Sequence, residues 1–165
     1  MVSLKIEDIK NFTSSLFIGS LFDDFLVREA QVVTYNSFTI DGHTRSGYYT
    51  EEEVQEEGIG EFSRWKKLKP ICFSLVKGKR LPESFRIEFA LNQEQKEKFL
   101  NKLGGQWRPD AVKGLYLGIR YGHGELHCVT GVSFSVFTME RSLELEWDSE
   151  AKAFLKNSGI IFSEE

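Results

Sequence analysis

The sequence lacks any long run of apolar residues. Its apolar stretches, such as those at residues 16–18 and 74–76, are far shorter than the roughly 18 residues that a membrane-spanning helix requires. Residues 1–8 also lack a basic segment followed by an apolar core, which is the pattern of a secretory signal. We therefore expect no membrane segment and a cytoplasmic location.

Cysteine is scarce. Cys72 lies in an apolar stretch with helical periodicity, and Cys128 lies in a predicted strand. Disulfide-stabilised domains are small, secreted and rich in cysteine, so we expect two buried free thiols here. A chain of this length buries roughly 68 to 70% of the surface that its unfolded state exposes, and it needs neither a disulfide nor a metal to fold.

The composition is that of an ordinary globular protein. Of the 165 residues, 41% are hydrophobic, 13% aromatic and 28% charged, and the net charge is −4. A disordered chain has fewer hydrophobic residues than this. The length fits the roughly 100 to 200 residues of one domain, so we predict a single domain over residues 1–165.

The first 41 residues alternate between strand and helix patterns. A short strand is predicted at Ser3–Ile6, and the apolar residues of 7–17 recur with the spacing of a one-faced helix. Residues 25–41 then alternate apolar and polar side chains, as in strands. Because the alternation breaks near Asn36, we predict two strands there.

Charge is segregated between two neighbouring segments. Residues 42–62 contain four glycines and six glutamates, and they have no apolar face to bury, so we predict a loop or a short helix. Residues 64–80 contain seven basic residues and no acidic one. The basic segment is predicted to link the two halves of the chain.

The basic segment also carries a helix pattern. Its apolar residues recur at helical spacing and predict a helix over residues 64–77, with Ser63 as N-cap and Gly78 as a left-handed stop. Pro70 lies inside this helix and has no N–H to donate. We therefore expect a kink at Pro70, or two helices of which the second begins there.

The second half begins with the clearest strand pattern, at residues 85–91. Asn92 and Gln95 then form a capping box that predicts a helix ending at Gly104. Two further strands are predicted at 115–121 and 125–130.

Glycines around His123 suit the tight hairpin turn between those two strands. A third β-segment is predicted at 132–137. The segment 140–147 alternates well enough for a strand, but its Met, Glu and Leu content favours a helix that continues through Leu155.

These elements predict an α+β domain with antiparallel sheet structure and about four helices. Both halves read as a β-α-β-β unit, although they share little sequence identity. This order of elements is similar to that of DNA sliding-clamp domains. A similar order concerns the fold only and does not assign a function.

The sequence contains no known catalytic motif. The chain has no Gly-x-Ser-x-Gly elbow and no complete phosphate-binding loop, since Lys77-Gly78-Lys79 ends a helix instead of starting one. His123, His127 and Cys128 are close in sequence, but His123 falls in a turn and the other two point to opposite faces of a strand. We predict no metal and no cofactor, and catalysis is disfavoured.

The basic segment is the strongest candidate for a binding site. The interpretation favoured most is a solvated helix face, or pairing with the glutamates of 51–61, because charge runs often do no more than this. The next is an anionic partner, and the third is a protein interface. The candidate anion-binding residues are Lys66, Lys67, Lys69, Lys77, Lys79 and Arg80.

Four segments resemble a family of small bacterial proteins of unknown function: LKIEDIKNF at residues 4–12, FTIDG at 38–42, KPICFSLVKGKR at 69–80 and GEL at 124–126. The resemblance covers nearly the whole chain and implies a bacterial cytoplasmic protein, without implying an activity or a site. We expect a non-catalytic binding or assembly module whose partner the sequence does not identify, with another protein or a second copy as the candidates. The alternative is a nucleic-acid-associated protein that uses the basic segment.

Overall fold

The computed structural model describes all 165 residues as one seven-stranded antiparallel sheet with five α-helices. This confirms the α+β class, with one helix more than predicted. The strands are β1 (Ser3–Ile6), β2 (Leu26–Val33), β3 (Ser37–Asp41), β4 (Ser84–Ala90), β5 (Val112–Gly122), β6 (Glu125–Phe134) and β7 (Phe162–Glu164). The helices are α1 (Ile9–Phe17), α2 (Glu51–Glu57), α3 (Trp65–Val76), α4 (Gln93–Lys102) and α5 (Ser142–Asn157).

The strand order is β3-β2-β4-β5-β6-β1-β7. Each half of the chain keeps the order strand, helix, strand, strand, but β1 pairs with β6 and β7 and lies far from β2 and β3. The two halves therefore share one sheet. The similarity to clamp domains stays at the level of element order.

The core lies on one face of this sheet. In β4 the side chains of Phe85, Ile87 and Phe89 are buried, and they face a dense aromatic cluster in which Phe22 stacks on Phe89 with ring centres 5.5 Å apart. Arg86 and the residues that share its face form ion pairs across the opposite, open side of the sheet. The alternation of apolar and charged residues thus fixes which face the helices cover.

The tight turn between β5 and β6 has the predicted position. His123 and Gly124 both have positive φ angles, 53° and 74°, in a two-residue turn flanked by the pair Gly122 and Glu125. Such turns match the twist of the flanking strands. Beyond the turn, β6 continues to Phe134, so the separate third β-segment predicted at 132–137 is wrong.

Helix α3 is continuous through Pro70, so the interpretation as two helices is wrong. Pro70 is exposed, and water can therefore reach the backbone carbonyl that its missing N–H leaves free. The predicted N-cap at Ser63 is also wrong. Arg64 is the N-cap and offers no side-chain bond, since the first N–H groups of the helix donate to the carbonyls of Asp23 and Phe25.

The remaining helices follow their sequence signals. The capping box of Asn92 and Gln95 begins α4, and Ser142–Asn157 is a helix, which excludes the strand alternative for 140–147. Cys72 and Cys128 are buried free thiols, as predicted. Judged by length and apolar composition together, no helix qualifies as a membrane span.

Candidate anion-binding cleft

A cleft of about 1040 Å³ lies beside the start of α3. The start of β2, the end of β4 and the start of β5 line it from one side, and the segment 57–64 lines it from another. Six cationic side chains contribute to its surface: Arg28, Arg64, Lys66, Lys67, Lys96 and Lys113.

Two of these cations stand at β-bulges. In β2, Val27 and Glu29 face consecutive residues of β4, so Arg28 is the extra residue without a partner in that strand. In β5, Lys113 is likewise the extra residue opposite β6. Bulges redirect side chains and are common next to functional sites, and here both bring a cation into the same cleft.

Arg28 lies over an aromatic ring. Its guanidinium lies 4.2 Å from the ring centre of Tyr116. The Tyr116 ring in turn lies across Gly114, where a Cβ atom would come within 2.4 Å of the Tyr116 hydroxyl oxygen. Trp147 Nε1 donates to the Tyr116 carbonyl at 2.9 Å and fixes the backbone beneath the ring. Only glycine at position 114 permits this arrangement.

Most of the cleft cations have no carboxylate partner. Arg64 pairs with Asp24 at 3.3 Å, while the other five have no carboxylate oxygen within 4.0 Å. Lys96 Nζ donates to the Val112 carbonyl at 3.0 Å. Lys67 hydrogen-bonds to the Tyr49 hydroxyl and lies 4.5 Å from the centre of that ring.

The acidic side chains of the cleft are fewer. Glu57, Glu61 and Glu94 line it, and none of them forms an ion pair. Six cations therefore face three carboxylates. An excess of positive charge inside a concave surface raises the local concentration of anions.

The first turn of α4 adds hydrogen-bond donors. Asn92 and Gln95 bond to each other's backbone N–H groups in the capping box, and Asn92 Nδ2 donates to the Asp24 carbonyl at 2.9 Å. Gln93 and Glu94 line the cleft, and their N–H groups belong to the first turn, which has no intrahelical acceptors. The positive end of the helix dipole thus adds to the charge of the lysines.

A hydrogen-bonded Asp–His pair stands at the rim. Asp41 Oδ1 lies 2.7 Å from His43 Nδ1 and also accepts the His43 backbone N–H at 3.0 Å. These bonds, and the nearby Arg45, hold the pKa of the Asp41 carboxyl below its usual value of 3.8. The His43 ring packs on Phe62 with centres 4.4 Å apart. The pair orders the chain that leaves β3 and leads into the cleft.

The structure separates the six lysines and arginines predicted as anion-binding candidates. Lys66 and Lys67 line the cleft. Lys69 forms an ion pair with Asp23 at 2.7 Å, and each of the two side chains is 15% exposed. Lys77, Lys79 and Arg80 line a second pocket of about 490 Å³ at the other end of α3, together with Thr34 and Tyr35.

The acidic segment forms no ion pair with the basic one. No glutamate of 51–61 lies within 4.0 Å of a cation of 64–80, and the two ion pairs of the basic segment use Asp23 and Asp24. Helix α2 has no buried residue and stands in solvent. Glu57 and Glu61 of this segment line the cleft without forming an ion pair with its cations.

Sequence reasoning missed the floor of the cleft. Arg28, Lys96, Lys113 and Tyr116 come from segments far apart in the chain, and none stands out by its neighbours. One signal was present, since a glycine within a strand pattern marks a bulge or a close approach, and Gly114 has both roles. The hairpin residues His123 and His127 lie outside the cleft, and no cluster of three or more potential metal ligands occurs in the structure.

The fold and the cleft together define a class: an α+β protein with one antiparallel sheet and a basic cleft at the bulged ends of its strands. The family follows from the sequence comparison. The chain belongs to DUF5721, a family of unknown function, whose model matches residues 15–163 of the 165. Comparison with curated proteins and with solved structures gave no match.

Proposed function

We propose that this protein is a non-catalytic binding module whose ligand is an anion held in the cleft beside α3. One observation carries the proposal: five cationic side chains converge on one concave surface without a carboxylate partner. Exposed cations spread over a surface are ordinary. Five unpaired ones in a single cleft repel each other, and a bound anion relieves that repulsion.

The construction of the cleft supports the same function. Two strand irregularities place Arg28 and Lys113 there, and bulges disrupt the ladder locally without adding to the core. The first-turn N–H groups of α4 supply donors that suit phosphate or carboxylate oxygens. Phosphate is the better match, because it accepts several charge-assisted hydrogen bonds at once.

Nucleic-acid association is the second candidate. It is favoured by the pocket that holds Lys77, Lys79 and Arg80, since this pocket and the cleft that holds Lys66 lie at the two ends of α3. The helix is about 18 Å long at 1.5 Å per residue, a distance that a short single strand can cover.

Calorimetric titration with inorganic tripolyphosphate tests the first proposal. We expect binding at about 50 mM salt that weakens at about 200 mM, since screening reduces the attraction. The double variant Lys66→Gln with Lys113→Gln is expected to lower the affinity at least tenfold, because each lysine removed is a charge-assisted contact.

The matched control is Lys10→Gln with Lys98→Gln, two exposed lysines outside the cleft. Both double variants change the net charge equally. If the control lowers the affinity as much as the cleft variant, or if no binding occurs at the lower salt concentration, the cleft is not an anion site. The nucleic-acid candidate is tested with labelled single-stranded DNA, and Lys77→Gln with Lys79→Gln is expected to weaken that binding.

A further inference from the structure

We infer that the anion is a nucleotide unit, whose base stacks on Arg28 while its phosphates lie among Lys66, Lys67 and Lys113. This inference rests on the proposed function and specifies its ligand. The observation behind it is the three-layered arrangement of Gly114, Tyr116 and Arg28 in the cleft.

Arg28, the outermost of these three residues, is suited to a planar ligand. The guanidinium carbon of Arg28 lies over the Tyr116 ring, 4.2 Å from its centre, and the side chain is exposed and lines the cleft. Arginine planes stack on nucleic-acid bases as aromatic rings do. A site for phosphate alone has no need of this platform, because lysines meet phosphate as point charges.

The platform is fixed in place from below. The Tyr116 ring cannot drop toward the sheet without meeting Gly114, and its backbone carbonyl is held by Trp147. Rigid placement lowers the entropy lost when a ligand stacks on the platform.

The rest of the cleft matches the other end of a nucleotide. Lys66 and Lys67 stand on α3, and Lys113 stands at the bulge next to Gly114. These lysines have no carboxylate partner. The volume of about 1040 Å³ is at the upper end of the range for small-ligand sites, so a base, a sugar and phosphates fit together.

The test compares ligands with and without a base. Adenosine triphosphate and inorganic tripolyphosphate carry the same three phosphorus atoms, and charge alone favours the tripolyphosphate. We expect the nucleotide to bind about tenfold more tightly, as one stacked base contributes. A nucleotide unit also occurs within a single strand, so a five-residue adenine oligonucleotide and an abasic oligonucleotide of the same length form the second arm.

Two variants separate stacking from charge. Arg28→Lys keeps the charge and removes the plane, and Tyr116→Leu removes the ring beneath it. Each is expected to weaken binding of the nucleotide more than binding of tripolyphosphate, so that the preference for the nucleotide falls to about twofold or less. Tyr116→Phe retains the ring and is expected to keep the preference. Circular dichroism and thermal melting of each variant establish that it is folded.

The outcomes distinguish this inference from the proposed function. If tripolyphosphate binds as tightly as the nucleotide, and the abasic strand as tightly as the adenine strand, the base has no site and only the anion proposal stands. If no probe binds at about 50 mM salt, both fail. Binding of the adenine strand without the free nucleotide identifies a strand as the source and supports the inference.

Discussion

Lys69 Nζ lies 2.7 Å from Asp23 Oδ1, and the same ammonium group donates to the Gly19 carbonyl at 2.8 Å. Both side chains are only 15% exposed. Lys69 thereby connects α3 to the segment between α1 and β2. One cation of the basic segment is thus part of the fold, although its neighbours Lys66 and Lys67 face the cleft.

This pairing predicts that Lys69→Met destabilises the protein. The substitution keeps most of the apolar stem but leaves the Asp23 carboxylate without its cation in a mostly buried position. We expect the free energy of unfolding to fall by about 1 to 3 kcal/mol, measured by urea denaturation. Lys66→Met, on the exposed side of the same helix, is the control and is expected to stay within about 0.5 kcal/mol of the wild type. Equal effects of the two substitutions would contradict a structural role for Lys69.

The fold was predictable wherever the signals were local. The alternation of β4, the capping box at Asn92 and the turn at His123 each determine an element from a few adjacent residues. The N-cap of α3 was not predictable, because the first N–H groups of the helix donate to backbone carbonyls of a segment about 40 residues earlier in the chain. The end of β6 was misjudged at Gly131, because a glycine weakens a strand by itself but here is paired with Tyr116 of β5.

The second prediction concerns Gly42, which follows β3. A Cβ atom at this position would lie 1.7 Å from the Val27 backbone oxygen, a distance that only movement of the backbone can relieve. Gly42 also bonds through its N–H to the Arg28 carbonyl at 3.0 Å. Gly42→Ala is therefore expected to lower the free energy of unfolding by about 2 to 4 kcal/mol.

Gly47 provides the comparison for this substitution. Nothing lies within 4 Å of a Cβ built there, and its φ angle is not positive. Gly47→Ala is expected to change the free energy of unfolding by no more than about 0.5 kcal/mol. A loss at Gly42 no greater than that at Gly47 would show that the strands do not approach each other as closely as described.

The cleft was only partly predictable for a related reason. The basic segment 64–80 was visible as a charge run and supplied Lys66 and Lys67. Arg28 and Lys113 are ordinary strand residues in the sequence. The pairing of strands that are far apart in the chain brings both side chains to the same cleft. Charge segregation locates one wall of a site, whereas the opposite wall depends on strand register.

The third prediction concerns the ionisation of Asp41. Hydrogen bonds from the backbone and the ring of His43 hold its pKa below 3.8, so the folded carboxylate stays ionised at pH values where the unfolded one takes up a proton. This contribution to stability is complete above the unfolded pKa and is lost as the pH falls through the folded value. Carboxyl chemical shifts measured over a pH titration should give a midpoint below 3.8 for Asp41.

His43→Ala removes the ring bond but keeps the backbone N–H, which has the larger effect on the carboxyl. The Asp41 midpoint is therefore expected to rise only part of the way to its usual value. His123→Ala, in the distant hairpin turn, should leave the midpoint unchanged. A complete return to the usual value in His43→Ala would mean that the backbone bond contributes nothing.

The last prediction concerns the buried thiols at alkaline pH. Burial raises the pKa of Cys72 from 9.0 to about 11, and it also raises the pKa of Cys128. Between pH 9 and about 11 the unfolded thiol loses its proton while the folded one keeps it, so this contribution to the free energy of unfolding falls as the pH rises. Cys72→Ala removes the contribution of Cys72. The free energy of unfolding, measured by urea denaturation, should therefore decline less steeply from pH 8 to about 10.5 in this variant than in the wild type.

Other groups titrate in the same interval. The comparison is therefore between the slopes of the free energy of unfolding against pH in the variant and the wild type, and not between their absolute stabilities. The same burial predicts that neither thiol reacts with a disulfide reagent at pH 8 in the folded protein and that both react in urea, because the thiolate is the reactive form. Reaction of Cys72 in the folded state at the rate of a free thiol, together with parallel slopes for variant and wild type, would place its sulfur in contact with water and refute the packing of α3 against the sheet.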